Sequence, residues 1–142
     1  MSLLIRWTMV AVIILGGLQL FQLKRTAHYI NASFVAEGLA SATRLKVMVA
    51  QHYYMQGELP SSHEEANIPP PESFATKALK SATIMGKGTI KLLYNEKSGI
   101  DGGSILLIPN QADAMTDLTW RCVSFSFKGI EKIAPQCSYQ GE

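Results

Sequence analysis

The side chains best suited to chemistry are few and scattered in this chain of 142 residues. The three histidines, His28, His52 and His63, stand far apart, and none has a His, Cys or acidic partner at the spacing a metal ion requires. Ser61-Ser62-His63-Glu64-Glu65 places nucleophile, base and acid types side by side. Catalytic triads, however, are assembled by the fold from separated positions, and neighbours on a loop seldom aim at one point. The run reads as a solvated turn. Gly86-Lys87-Gly88 lacks the remainder of a phosphate loop and the helix after it, so it reads as a hairpin turn. Asn31-Ala32-Ser33 fits a glycosylation sequon but falls on a helical stretch near a candidate membrane span, where it reads as a chance match. These residues point away from an enzyme: no catalytic group, no metal and no cofactor is expected.

Lys77, Lys80, Lys87, Lys91 and Lys97 form a denser group that would contact phosphates if they shared a face. Against this, Lys91 lies in a strand-like run and Glu96 interrupts the series. With Arg6, Lys24 and Arg25 set aside, ten basic residues face eleven acids, so a mixed-sign solvated surface is the favoured reading and nucleic-acid contact the lesser one. The two cysteines, Cys122 and Cys137, have fourteen residues between them and no nearby His pair that would suggest zinc. They are either a disulfide, worth about 3 kcal/mol in the chain-entropy model, or two buried thiols. The first would place the domain in an oxidising compartment, away from the cytoplasm.

The elements that must position these groups divide at about residue 30. Trp7 to Leu23 contains no ionisable side chain, and at helical rise it spans about 26 Å, just short of a bilayer core. Leu3, Leu4 and Ile5 extend it, with Arg6 snorkelling. Small residues at a signal-cleavage spacing are lacking, so residues 1–29 read as an uncleaved single-pass membrane anchor. Gly16 and Gly17, with Leu20, form a face suited to close helix–helix contact. Arg6 and the amino terminus nearly balance Lys24 and Arg25, so counting basic residues leaves the orientation open.

Val35, Leu39, Ala42, Leu45, Val49 and Tyr53 then recur at spacings of three and four, one apolar stripe of an amphipathic helix that Gly57 and Pro60 stop. No proline precedes Pro60, so anchor and stripe make one helix of up to about 55 residues. Residues 57 to 75, with Pro69-Pro70-Pro71, read as an extended loop, and Phe74 to Leu79 as a helical turn or two. Strand-like runs follow at 81–85, 89–95, 104–109, 119–127 and 130–133, separated by Gly-rich turns. A striped helix and a sheet with one apolar face bury each other. The expected fold is therefore α+β, a long N-terminal helix packed on a four-stranded antiparallel sheet in a domain of residues 30–142.

Several phrases, in order, resemble type IV pilins. They are Ala50-Gln51-His52-Tyr53-Tyr54-Met55-Gln56-Gly57-Glu58-Leu59-Pro60, Ile90-Lys91-Leu92-Leu93-Tyr94, Ile105-Leu106-Leu107-Ile108-Pro109, Trp120-Arg121-Cys122 and Ala134-Pro135-Gln136-Cys137. The resemblance covers about residues 30 to 139. It implies a pilin-like fold in which Cys122 and Cys137 bound a C-terminal disulfide loop. It also implies a non-enzymatic component of the type IV pilus, serving adhesion, motility or DNA uptake, whose partners are other pilin subunits or the assembly platform. The implied location is the bacterial inner membrane with the domain in the periplasm, or the extracellular fibre. The N-terminus departs from the pattern: no basic leader ends in Gly before a Phe-Thr-Leu-Ile-Glu phrase, and no carboxylate lies within the span. Gln22, five residues after Gly17, is neutral and is not assigned the role of the family's glutamate. Three readings follow: a pilus subunit, a membrane-held pilin-fold protein that modulates pilus assembly without polymerising, and a receptor for DNA or another ligand.

Overall fold

The computed structural model describes the backbone of residues 3–111 and 118–142, with side chains described from residue 9 to 17 and, over that backbone, from residue 31 onward. The chain falls into two compact units, Met1–Asn31 and Ala32–Glu142. One helix, α1 (Leu3–Gln56), contributes to both. It ends where expected: Gly57 takes φ +80°, a conformation that costs glycine little, and its N–H returns to the Tyr53 carbonyl at 2.8 Å.

In the first unit Met9, Val10, Val12, Ile13, Ile14 and Leu15 are all exposed. Among the described residues no helix is long and apolar enough to cross a membrane. Much of the expected 1–29 anchor, and Leu20 with it, lies outside the described side chains.

In the second unit the sheet runs β1 (Leu79–Ile84), β2 (Ile90–Tyr94), β3 (Ser104–Asn110), β4 (Thr119–Ser124) and β5 (Cys137–Tyr139), neighbours in sequence order. The first three pairings are antiparallel and β4–β5 is parallel. The four-stranded antiparallel expectation is thus corrected to five strands, mostly antiparallel. The reason lies after β4. Gly129 at φ +81° turns the chain, and Ile130–Lys132 close into a 3₁₀ turn instead of a strand, because Ile130 is drawn fully into the core. Having crossed over, the chain runs beside β4 in the same direction, with Cys137 opposite Cys122. The helical turn expected at 74–79 forms earlier, as a 3₁₀ turn over Pro71–Phe74 with a proline at its start, where no N–H is needed.

The stripe residues Val35, Ala42, Leu45 and Val49 are buried, with Leu39 packed against the same core. They face alternate strand residues, Ala82 and Ile84, Ile90, Leu92 and Tyr94, Ile105 and Leu107. Each such Val, Leu or Ile contributes about 1.5–3 kcal/mol of burial. This core supports the loops and clefts on the domain surface.

Candidate functional site

The segment bounded by the cysteines is closed at its base by a covalent bond. Cys122 and Cys137 form a disulfide, with Cα atoms 4.4 Å apart across the β4–β5 register. Between them Phe127, Ile130 and Ala134 turn inward, leaving Phe125 exposed. Glu131 fastens the closing strand, because its carboxylate accepts the Tyr139 N–H at 2.6 Å, and that bond holds its carboxyl below the usual range.

Tyr94 joins this segment to the helix. Its ring meets Phe127 edge-on at 5.3 Å, and its hydroxyl donates to the Val35 carbonyl of α1 at 3.0 Å. Burial pushes the phenol well above its ordinary value. The close approach depends on Gly38, because a Cβ there would lie 2.5 Å from the Tyr94 hydroxyl oxygen. A glycine in the middle of a helix is thus explained by a side chain arriving from the sheet. Nothing in the local sequence marks it as more than a helix-weakening residue.

Two clefts flank α1 within the second unit. One, about 300 Å³, runs between Ala36, Ala40 and Thr43 on the helix and Trp120, Ile133 and Gln136 on the sheet side. Lys46 lies over the Trp120 ring at 5.7 Å. The other, about 600 Å³, lies between the last turns of α1 and the loop after it. Nearby, the Tyr54 hydroxyl accepts the Leu118 N–H at 3.0 Å, tying the end of the helix to the start of β4.

The expected helix-contact residues Gly16 and Gly17 lie in α1 with nothing within 4 Å of an added Cβ, so the backbone there is open to close approach. Leu20, their companion, lies outside the described side chains.

Lys77, Lys80, Lys87, Lys91 and Lys97 are all exposed but do not gather. Lys80 pairs with Asp101 at 2.8 Å. That hydrogen bond raises the ammonium's pKa and lowers the carboxyl's, and Glu96 adds to the first effect. The Lys77 carbonyl accepts from the Asn95 side chain, and Lys97 occupies the turn after Asn95, so these three share one end of the β1–β2 ladder with two acids. Lys87 lies at the other end, at the hairpin tip with φ +57°, and Lys91 stands between Thr83 and Leu106 on the outward face. This is a dispersed, mixed-sign surface.

The Ser61–Glu65 run behaves as a turn with one exception. The Glu65 carboxylate accepts the Ser61 N–H at 2.7 Å and the Ser62 hydroxyl accepts the Glu65 N–H at 3.1 Å, an arrangement that occupies the nucleophile and acid types with local backbone. His63, read from the sequence as solvated, is buried. Its Nε2 accepts the Ile84 N–H at 2.9 Å, which requires the proton on Nδ1, and that proton goes to the Pro69 carbonyl at 2.6 Å. The imidazole ties the loop to the edge strand β1 and satisfies one of its outward amides. Only the fold places His63 there; its neighbours Ser62 and Glu64 carry no apolar signal.

The family model that matches this chain is that of the pilins, bacterial filament proteins, and it covers residues 33–138. No curated protein matches it.

Proposed function

Since the chain belongs to the pilin family of bacterial filament proteins, a structural rather than enzymatic family, we propose that it serves the type IV pilus system. In this reading it is a pilin-like subunit or accessory component that works by contact with other pilin subunits along α1. Residues 1–29 anchor it in the bacterial inner membrane, with residues 30–142 as a domain in the periplasm or on the fibre surface. The observation that carries the reading is the contrast within α1. From Val35 to Val49 one face is consumed by the domain's own core, whereas the apolar residues from Met9 to Leu15 are all exposed. Such a surface needs lipid or another apolar helix. Gly16 and Gly17, with Leu20 one turn on, would bring the partner backbone close.

Replacing both glycines with Leu widens that face, and nothing lies within 4 Å of a Cβ added at either position. Site-specific crosslinking to pilins in membranes should fall, and surface piliation should change, with the folded domain unaltered by circular dichroism. Unchanged crosslinking and piliation would refute the contact. Intact mass of the chain recovered from membranes and from sheared fibres separates the two versions of the reading. Recovery in fibres marks a subunit; retention in membranes alone marks a pilin-fold modulator of assembly. The receptor reading has little support, because the lysines are divided between two ends of the sheet and Lys80 is already paired.

A further inference from the structure

The larger cleft is lined by a set of donor side chains, of which Met48 also packs against the edge of the core. Met48, His52 and Met55 all line it, and all come from the last turns of α1. At about 100° per residue, spacings of four and three place these side chains within about 60° of arc, with axial steps of about 6 Å and about 4.5 Å. Met55 is 78% exposed, unusual for a large apolar side chain, while His52 and Met48 are half-buried. Across the cleft stand Glu58 and Glu65, and among the described residues no Lys or Arg lines it, so its field favours a cation. Among the described residues no three His, Cys, Asp or Glu are grouped to hold a metal ion. The donors that do share one face are an imidazole between two thioethers. Thioether sulfur selects soft ions, and an imidazole flanked by thioethers suits a d¹⁰ monovalent metal far better than Mg²⁺ or Ca²⁺.

We infer that Met48, His52 and Met55 form a binding site for a soft monovalent cation of the Cu(I) class. His52 supplies the anchoring nitrogen, and Met48 and Met55 close over the ion from one turn before and one turn after. Both cysteines are held in the disulfide, so no thiolate in the folded chain competes for the ion. The site is independent of the filament role and stands or falls apart from it.

The test uses the full chain, disulfide intact, in detergent micelles, with Ag(I) as a redox-inert probe in chloride-free buffer. Calorimetry should show one ion per chain, and methyl-labelled methionine spectra should show Met48 and Met55 moving together on titration. His52→Gln and Met55→Leu should each weaken binding by about tenfold or more, since even the outer partners of metal ligands are worth that much. Met85→Leu removes another exposed methionine, one outside the cleft, and should leave affinity unchanged. Met55→Leu conserves volume at an exposed position and keeps the fold, so its result is interpretable whatever happens to the other variants. Absence of one-to-one binding by the parent chain, parental affinity in either ligand variant, or an equal loss in Met85→Leu would each overturn the site.

Discussion

Gly38→Ala offers a sharp test of how the helix and sheet are fitted together. On an isolated helix the change is favourable by about 0.8–1.0 kcal/mol, because alanine loses less backbone freedom. Here the new methyl would lie 2.5 Å from the Tyr94 hydroxyl oxygen and 2.6 Å from the nearest ring carbon. The ring has no room to retreat: Tyr94 is fully buried and Phe127 abuts it edge-on. Overpacking of this kind costs about 1–3 kcal/mol, so the net expectation is destabilisation by up to about 2 kcal/mol despite the propensity gain. Tyr94→Phe removes the hydroxyl and its hydrogen bond to Val35, for about 1 kcal/mol, but leaves ring carbons 2.6 Å and 2.8 Å from the methyl and so relieves only part of the clash. Tyr94→Leu removes the ring, and in that background Gly38→Ala should change sign and stabilise by up to about 1 kcal/mol. Urea unfolding of residues 30–142, followed by the fluorescence of Trp120, the one tryptophan left after Trp7 is removed, gives every corner of the cycle. A Gly38→Ala variant more stable than the parent by the full propensity gain of about 0.8–1.0 kcal/mol, or no change of sign in the Tyr94→Leu background, would refute the close-approach account.

Three further outcomes are expected. Deleting residues 1–29 should give a soluble domain with a cooperative unfolding transition and near-UV dichroism, because the buried face of α1 begins at Val35; an insoluble or molten product would place the boundary elsewhere. Without reductant, neither Cys122 nor Cys137 should react with an alkylating reagent, and Cys122→Ser with Cys137→Ser should lower stability by about 3 kcal/mol in urea titrations. Alkali should destabilise the domain through Tyr94. Its folded pKa is raised above the unfolded value by burial, so its contribution is complete below about pH 10 and is lost as pH rises further. The drop in urea midpoint above that pH should be smaller in Tyr94→Phe than in the parent, and equal slopes would contradict it.

Much of this protein was legible in one dimension because its signals are periodic or local. The stripe from Val35 to Val49 repeats at helical spacing, and a helix has only one way to bury such a face. Gly57 could be read as a stop because a positive φ there costs other residues energy. The hairpin at Gly86-Lys87-Gly88 and the alternation of β2 and β3 are likewise written within a few residues. The phrases from Ala50 to Cys137 carry the family resemblance, and their order is the informative part.

What required the tertiary structure is what joins positions far apart in the chain. Ile130–Ile133 has strand composition, yet Ile130 gains more by filling the core beneath a glycine turn, which moves the last strand to Cys137–Tyr139 and makes its pairing parallel. His63 sits among polar neighbours and has no local reason to be buried; the Ile84 amide, 21 residues later, supplies one. Gly38 looks like a weakness in a helix until Tyr94 arrives against it from β2. Sequence alone therefore determined the helix, its end, most of the strands and the family resemblance, since those depend on propensity and spacing over a turn or two. Burial of particular polar groups, close backbone approach and the direction of the final strand depend on which distant atoms compete for the same volume, and only folding decides that.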